Sequence, residues 1–300
     1  MNGLVIGALV AFGMVQQTDT VFPAQGARLL ELDLTAGSVV VTGWDRDEIA
    51  VRAEHSSRAE VHVRRTRDGA RLEVEAVANR GPVTIVDYEI SLPRGMALEV
   101  DAMSADVSVD GVRGGVDASV NQGDVTLRNV AGAVKVYSTA GRVLVENAAG
   151  DVEAETAAGE IRLLRVAGAI GAESAGGDII LEGVTSSSVD VGTVGGRIHY
   201  DGTYQAGGSY LFGNHGGTVT LVVPDGASAT FHLATVYGSV VDSRSAEPKR
   251  YEGGQRHTLQ VGAGAALVEA ETFGGRILLV RKGAEGSAPP PARSRGEGAH

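Results

Sequence analysis

Apolar and polar residues alternate in short runs along most of the chain, and glycines separate the runs. In residues 134–151, VKVYSTAGRVLVENAAGD, Val134 and Val136 alternate with polar residues before a bend at Gly141, and the alternation resumes at Val143. Such a period of two in β-branched residues is typical of a strand with one buried face. A helix is disfavoured because each interior glycine costs up to about 1 kcal/mol. Each unit is therefore predicted to be strand, bend, strand, bend.

The unit recurs at nearly constant spacing. Glycines at the first bend follow one another in steps of 18 residues, and later of 19 and 21 residues, as Gly123, Gly141, Gly159, Gly177, Gly196 and Gly217, and the same motif recurs at Gly275. A degenerate copy carries Gly238, and ELDLTAGSVVVTGW (31–44) resembles a further unit with Gly37. Two short strands per repeat predict an all-β fold: a single-chain β-solenoid (β-helix-like) with coils of ~18–21 residues.

Equivalent positions of stacked coils form columns. Two apolar columns are predicted to fill the core: Val116, Val134, Val152, Ile170 and Val189, and Val125, Val143, Ile161, Ile179 and Ile198. A small polar column at the first bend is interpreted as structural: Ser138, Thr156, Ser174, Thr193, Asn214, Thr235 and Thr272. The bend glycines are explained by a positive φ, at which glycine alone is free of steric cost.

The repeats divide the chain into segments. Residues 27–97 are predicted to be an N-terminal β region with one repeat-like unit, whose antiparallel strands cap or extend the solenoid. The solenoid repeats span 98–282, with a charged, proline-containing insertion loop at 242–266. Residues 283–300 have almost no apolar content and are predicted to be a disordered tail.

The N-terminus carries an apolar run. Residues 4–15 read LVIGALVAFGMV, which is shorter than the roughly 20 residues of a membrane-spanning helix and suits a signal peptide. Residues 1–26 are therefore predicted to be signal-peptide-like, with cleavage contexts at 11–13 and 24–26, although no Lys or Arg precedes the run. The alternative is a buried apolar strand. A signal peptide predicts export to the periplasm, cell surface or medium.

Composition excludes several classes of protein. The chain has 300 residues, of which 43 are glycine and 43% are hydrophobic, too many apolar residues for a disordered chain. It has no cysteine, which excludes disulfides, thiol nucleophiles and Cys-ligated zinc. The formal net charge of −11 disfavours a nucleic-acid partner.

Motifs for catalysis, cofactors and metals are missing from the sequence. It has no HExxH pair, no Walker lysine and no GxSxG, and we predict no catalytic, cofactor-binding or metal-ligating residue. His215 is interpreted as a turn residue. Two predicted outward columns carry charge. In the first column positive and negative side chains partly alternate, as expected for a solvated ladder with charge pairs across strands: Asp124, Arg142, Glu160, Asp178, Arg197 and Thr218. The second could hold a cation or sugar but fits a solvated face: Ser119, Tyr137, Glu155, Glu173 and Gly192.

The repeats resemble a known family. Units such as STAGRVLV (138–145) and TAAGEIRL (156–163) resemble the bacterial "putative adhesin" family of β-strand repeat proteins, whose domain is one of unknown function. The resemblance covers roughly residues 30–281. It implies a β-solenoid, association with the bacterial cell envelope and an adhesin-like role, and it supplies no catalytic residues.

These observations favour an exported, non-enzymatic β-solenoid that acts as a binding or structural module of the cell envelope. Its partner would be an envelope or surface ligand, protein or glycan, and the chain would need no cofactor, bind no nucleic acid and not be an integral membrane protein. One alternative is a carbohydrate-active enzyme, a polysaccharide lyase or hydrolase, that uses Glu155 and Glu173. Another is a self-assembling scaffold in which coils stack end to end.

Overall fold

The computed structural model describes residues 15–56, 59–66, 71–78, 85–245 and 247–283, and every helix or strand in them is a β-strand. The N-terminal strands are β1 (Val15–Pro23), β2 (Leu29–Trp44), β3 (Glu48–Ser56), β4 (Ala59–Arg65), β5 (Arg71–Ala78), β6 (Ile85–Pro93) and β7 (Ala97–Asp110). The central strands are β8 (Val116–Gln122), β9 (Val125–Arg128), β10 (Val134–Ala140), β11 (Val143–Ala148), β12 (Val152–Ala158), β13 (Ile161–Val166), β14 (Ile170–Ser174), β15 (Ile179–Val184), β16 (Ser188–Thr193) and β17 (Ile198–Gly202). The C-terminal strands are β18 (Ser209–Asn214), β19 (Val219–Val223), β20 (Ala229–Thr235), β21 (Ser239–Ser243), β22 (Lys249–Glu252), β23 (Arg256–Val261), β24 (Ala266–Thr272) and β25 (Arg276–Arg281).

The strands form two ladders that enclose one core. The first ladder runs β4, β5, β2, β7, β8, β10, β12, β14, β16, β18, β24, β20, β23. The second runs β1, β3, β6, β2, β7, β9, β11, β13, β15, β17, β19, β25, β21, β22. Each central coil gives one strand to each ladder, whereas the long strands β2 and β7 pass through the bend and belong to both. The predicted β-solenoid is confirmed.

The two predicted apolar columns fill the interior. Val134 lies beside Val116 and Val152 in the first ladder, and Val143 lies beside Val125 in the second. All members of both columns are buried in a single hydrophobic cluster. Because each coil exposes its apolar face until a neighbour covers it, stability depends on the stack rather than on one unit.

The order of the coils in space departs from their order in the chain at both ends. The coil of β24 and β25 lies between that of β18 and β19 and that of β20 and β21. At the other end, β2 lies between β7 and the pair β5 and β6. A stack in strict chain order is therefore wrong at the ends. The exchange places β20 and β21 where the following antiparallel strands can cover them.

Antiparallel strands cap both ends. At the N-terminal end, β4 pairs with β5, β3 with β6 and β1 with β3, so the predicted N-terminal cap is confirmed. At the C-terminal end, β22 and β23 occupy the segment 242–266, for which a loop was expected, because their backbones pair with β21 and β20. The apolar run of segment 1–26 and most of the tail 283–300 lie outside the described residues, whereas residues 15–23 form β1.

The bend glycines have a reason that differs from the predicted one. Gly123 and Gly141 do have positive φ, at 130° and 146°, but Gly159 and Gly217 do not. What these glycines share is close contact between successive coils. A Cβ on Gly159 would lie 1.8 Å from the carbonyl oxygen of Gly141, well inside van der Waals contact. Glycine is therefore needed for the spacing of the coils along the column.

Candidate functional site

The small polar column at the first bend is structural. Its side chains are buried, so they do not offer a surface to a ligand. The Thr193 Oγ1 donates to the Gly177 carbonyl oxygen at 3.0 Å and accepts from the Gly196 amide at 3.3 Å. The hydroxyls of Ser138 and Thr156 are buried without a hydrogen-bond partner. The interpretation of this column as a bend-stabilising ladder therefore holds for Thr193 and its bonded neighbours but not for these two hydroxyls.

The outward surface of the first ladder, called here the acidic face, is formed by two neighbouring columns on strands β5, β2, β7, β8, β10, β12, β14, β16, β18, β24 and β20. Thirteen carboxylates occupy these columns: Glu31, Asp33, Glu73, Glu75, Glu99, Asp101, Asp117, Glu153, Glu155, Glu173, Asp190, Glu269 and Glu271. Lys135 is the only lysine or arginine in them. Thirteen carboxylates against one lysine leave an excess of twelve negative charges on this surface, whereas the formal net charge of the whole chain is −11.

The carboxylates of the acidic face stand next to each other across strands. Asp33 faces Asp101 on one side and Glu75 on the other. Partial burial, and then the charges of Asp101, Glu31 and Glu73, raise the pKa of Asp33 above its usual value. Like charges directly opposite in a ladder are destabilising. The surface therefore concentrates negative charge at a cost to the fold.

A groove of about 610 Å³ crosses five coils in the middle of the acidic face. Along one column it is lined by Tyr137, Glu155, Glu173, Gly192 and Gly213. A Cβ on either glycine would meet nothing within 4 Å, so the missing side chains leave open space. Four strand spacings of ~4.8 Å make the groove about 19 Å long. The column predicted as a solvated face thus forms a binding-sized depression.

A row of exposed apolar and aromatic side chains follows the bend from the groove past its end. This aromatic ridge consists of Val194 and His215, which line the groove, and of Phe273, Val236 and Tyr237 on the next two coils. The His215 ring stacks on Phe273 with centroids 4.9 Å apart, and Tyr237 meets Phe273 edge-on at 5.0 Å. Phe273 is 45% exposed and Tyr237 76%. Contiguous exposed apolar surface of this kind marks an interaction site. His215 does lie at a bend, as predicted, but its stacking partner comes from a coil distant in sequence.

The second ladder presents a balanced surface instead. Asp178 accepts from Arg197 Nη2 at 2.6 Å and from Nε at 3.1 Å, and Asp124 pairs with Arg142 at 3.4 Å. The hydrogen bond from Arg197 lowers the pKa of Asp178. The predicted ladder of cross-strand charge pairs is therefore present on this side. In these pairs the charges are already neutralised within the molecule.

Glu155 and Glu173 are the two carboxylates that line the groove. They are neighbours in register, both exposed, and they share one surface. Two exposed carboxylates on one surface attract positive charge.

Neither a metal-binding cluster nor a membrane-spanning helix occurs among the residues that the structure describes. Within those residues, no group of three or more His, Asp or Glu side chains could hold a metal ion. Nor do the same residues contain a helix with the length and apolarity needed to cross a bilayer.

Comparison with known proteins gives a family match. A family model described as Toastrack DUF4097 matches residues 28–266. No curated protein matches the sequence. Among solved structures, a putative cell adhesion protein from Clostridium sporogenes is similar at 13% identity and a TM-score of 0.26, covering 89% of this chain and 100% of that one. A putative adhesin from Bacteroides fragilis is similar at 9% identity and a TM-score of 0.42, covering 88% and 96%.

Proposed function

Because the chain belongs to the Toastrack DUF4097 family, a match that confirms the resemblance drawn from its repeats, we propose that it is a non-enzymatic, adhesin-like binding module of the bacterial cell envelope. One observation carries the proposal. The groove and the aromatic ridge expose carboxylates and large apolar side chains that the packing of the solenoid does not use. In this proposal the coils act as a rigid frame, and the acidic face recognises the partner.

Export is part of the proposal. The apolar run at 4–15 supports a signal peptide. Strand β1, which lies between the two predicted cleavage contexts, favours the earlier one. All nine residues of β1 pair with β3, so cleavage after Gly26 would remove a strand from the cap. Cleavage after Gly13 would keep it. We therefore favour a mature chain that begins at Met14.

The two alternative functions fit the structure less well. A carbohydrate-active enzyme would need Glu155 and Glu173 to differ, whereas both lie exposed on one surface. A filament built by end-to-end stacking needs open strand edges. Here the outer strands carry exposed charge, with Arg64 on β4 and Lys249 and Arg250 on β22, and charged edge strands resist pairing with another chain.

Cell fractionation combined with N-terminal sequencing tests the export part. Expression of the full chain in a bacterial host should give protein in the periplasm or at the surface, with Met14 as the first residue. An uncleaved chain in the cytoplasm would contradict it. The same purified protein, incubated with acidic and neutral polysaccharides, should release no product. Turnover that disappears in Glu155→Gln would establish the enzyme alternative instead.

A further inference from the structure

We propose that the groove takes an extended, lysine- or arginine-rich peptide segment of a partner protein, which lies along the solenoid axis. This inference rests on the proposed binding function and adds the chemistry of the partner. It follows from the charge of the acidic face, the dimensions of the groove and the apolar side chains at its border.

Ion pairs within the molecule neutralise only part of the charge on the acidic face. Among the described residues, no hydrogen-bonding or ion-pair partner is found for Asp101, Asp117, Glu155, Glu173 or Asp190. Charge pairs elsewhere on the face lie at its ends or beside Lys135. A surface of one sign attracts and concentrates ligands of the opposite sign. The unpaired carboxylates in and around the groove therefore favour a partner with several positive charges.

The groove has the dimensions of a short extended peptide. Its length of about 19 Å corresponds to about six residues at ~3.3 Å each. Glu155 and Glu173 lie side by side near its centre, with Tyr137 directly beside Glu155. Tyr137 is 51% exposed, so its ring is open to a cationic group, which aromatic faces attract. Carboxylates flanked by an aromatic ring suit a lysine or arginine side chain.

The aromatic ridge favours a peptide over a neutral sugar chain. Val194 lines the groove and would contact an apolar side chain along the edge of the bound segment, whereas Phe273 and Tyr237 would contact apolar side chains beyond the end of the groove. A neutral glycan could stack on the rings but would leave the carboxylates unpaired. The combination of unpaired negative charge and exposed apolar surface therefore points to a segment in which basic and apolar residues alternate.

Fluorescence anisotropy with a labelled octapeptide of alternating lysine and phenylalanine tests this inference. The protein should bind this peptide and should not bind matched octapeptides with serine or glutamate in place of lysine. Binding should weaken about fivefold in the double variant Glu155→Gln/Glu173→Gln, because it removes two carboxylates that would pair with lysine side chains of the peptide. The control Glu54→Gln/Glu182→Gln removes two carboxylates from the second ladder and should bind like the unaltered protein.

Three results would overturn the inference: equal binding of the serine peptide, equal loss in both double variants, or affinity unchanged when the ionic strength rises from about 0.05 to about 0.3 M. Direct binding of a neutral glucan oligosaccharide, together with no binding of the lysine–phenylalanine peptide, would replace the peptide with a glycan. Failure of export, measured by fractionation, is a separate result that bears on the proposed function alone.

Discussion

Glu155 and Glu173 occupy facing positions in the parallel pair of β12 and β14, so that two exposed carboxylates stand about one strand spacing apart. Parallel, in-register stacking places equivalent residues side by side. A charged residue repeated at one position of the unit therefore becomes a line of charge. The same arrangement recurs at Asp33 and Asp101. Stacking of equivalent positions therefore gives the first ladder a surface that is predominantly negative.

The first prediction concerns the stability cost of this charge. In the folded chain the pKa of Asp33 is raised, so the folded state holds the proton more tightly than the unfolded state and ionisation opposes folding. Asp33→Asn should raise the free energy of unfolding at pH 7 by roughly 0.3 kcal/mol. The gain should vanish as the pH falls through the folded pKa, above 3.8, and the unaltered side chain becomes protonated. Urea unfolding across pH measures both. A loss of stability at pH 7 would contradict the account.

Asp178 provides the opposite case. The hydrogen bond from Arg197 lowers its pKa in the folded state, so its stabilising effect is present above 3.8 and is lost as the pH falls through the lowered value. Asp178→Asn should therefore lower the free energy of unfolding at pH 7 by about 0.5 kcal/mol, a figure reduced for solvent screening. The deficit should shrink in acid. The two variants should thus differ in the sign of their effect in the same urea titration.

Close contact between coils makes the bend glycines sensitive to a single methyl group. A Cβ at residue 159 would lie 1.8 Å from the Gly141 carbonyl oxygen, and Gly159→Ala should lower the free energy of unfolding by about 2 to 3 kcal/mol. In contrast, a Cβ at Gly171 meets nothing within 4 Å. Gly171→Ala should change the free energy of unfolding by less than about 0.5 kcal/mol. Equal effects of the two variants in denaturant unfolding would show that coil spacing does not determine the glycine column.

Two buried hydroxyls of the bend column differ in their hydrogen bonds, so replacing each threonine by valine should change the stability by different amounts. Thr193→Val removes two hydrogen bonds and leaves the Gly196 amide without its partner, so it should lower the free energy of unfolding by about 1 to 3 kcal/mol. Thr156→Val removes a buried hydroxyl that has no partner and should be neutral or stabilising. Thermal unfolding compares them directly. An equal loss in both variants would mean that Thr156 is bonded in solution.

Filling the groove should abolish recognition without unfolding the solenoid. Gly192→Gln introduces a side chain on the groove floor, where a Cβ has open space around it. Binding of the lysine–phenylalanine peptide should weaken at least about tenfold, or ~1.4 kcal/mol, while the melting temperature stays unchanged. The matched control is Gly171→Gln, which lies on the same face outside the groove. If Gly171→Gln weakened peptide binding as much as Gly192→Gln, the peptide would bind elsewhere on the protein.

The sequence predicts the central coils well and the ends poorly. The 18-residue step determines which residues stack, so the two columns that contain Val134 and Val143 follow from spacing alone. Spacing does not say which coil lies beside which when the chain leaves the step. For that reason the spacing does not predict that Gly275 lies between Gly217 and Gly238.

The same limit explains why the acidic face was missed. The sequence showed Glu155 and Glu173 in one column, but segment 27–97 has no constant step to align it with the repeats. Only the pairing of β2 with β7 brings Asp33 into line with that column. Likewise, the ring of His215 meets Phe273 because the coil order is exchanged. The candidate site therefore depends on long-range pairing that local patterns do not encode.

Site-specific photo-crosslinking in cells tests the central claim, that the groove on the acidic face is the binding surface. A photoreactive phenylalanine analogue replaces either Tyr137, at one end of the groove, or Ile180, which points outward from the second ladder. The account predicts a covalent adduct with a partner protein from position 137 and none from position 180. An adduct from position 180 alone, or equal adducts from both positions, would contradict it.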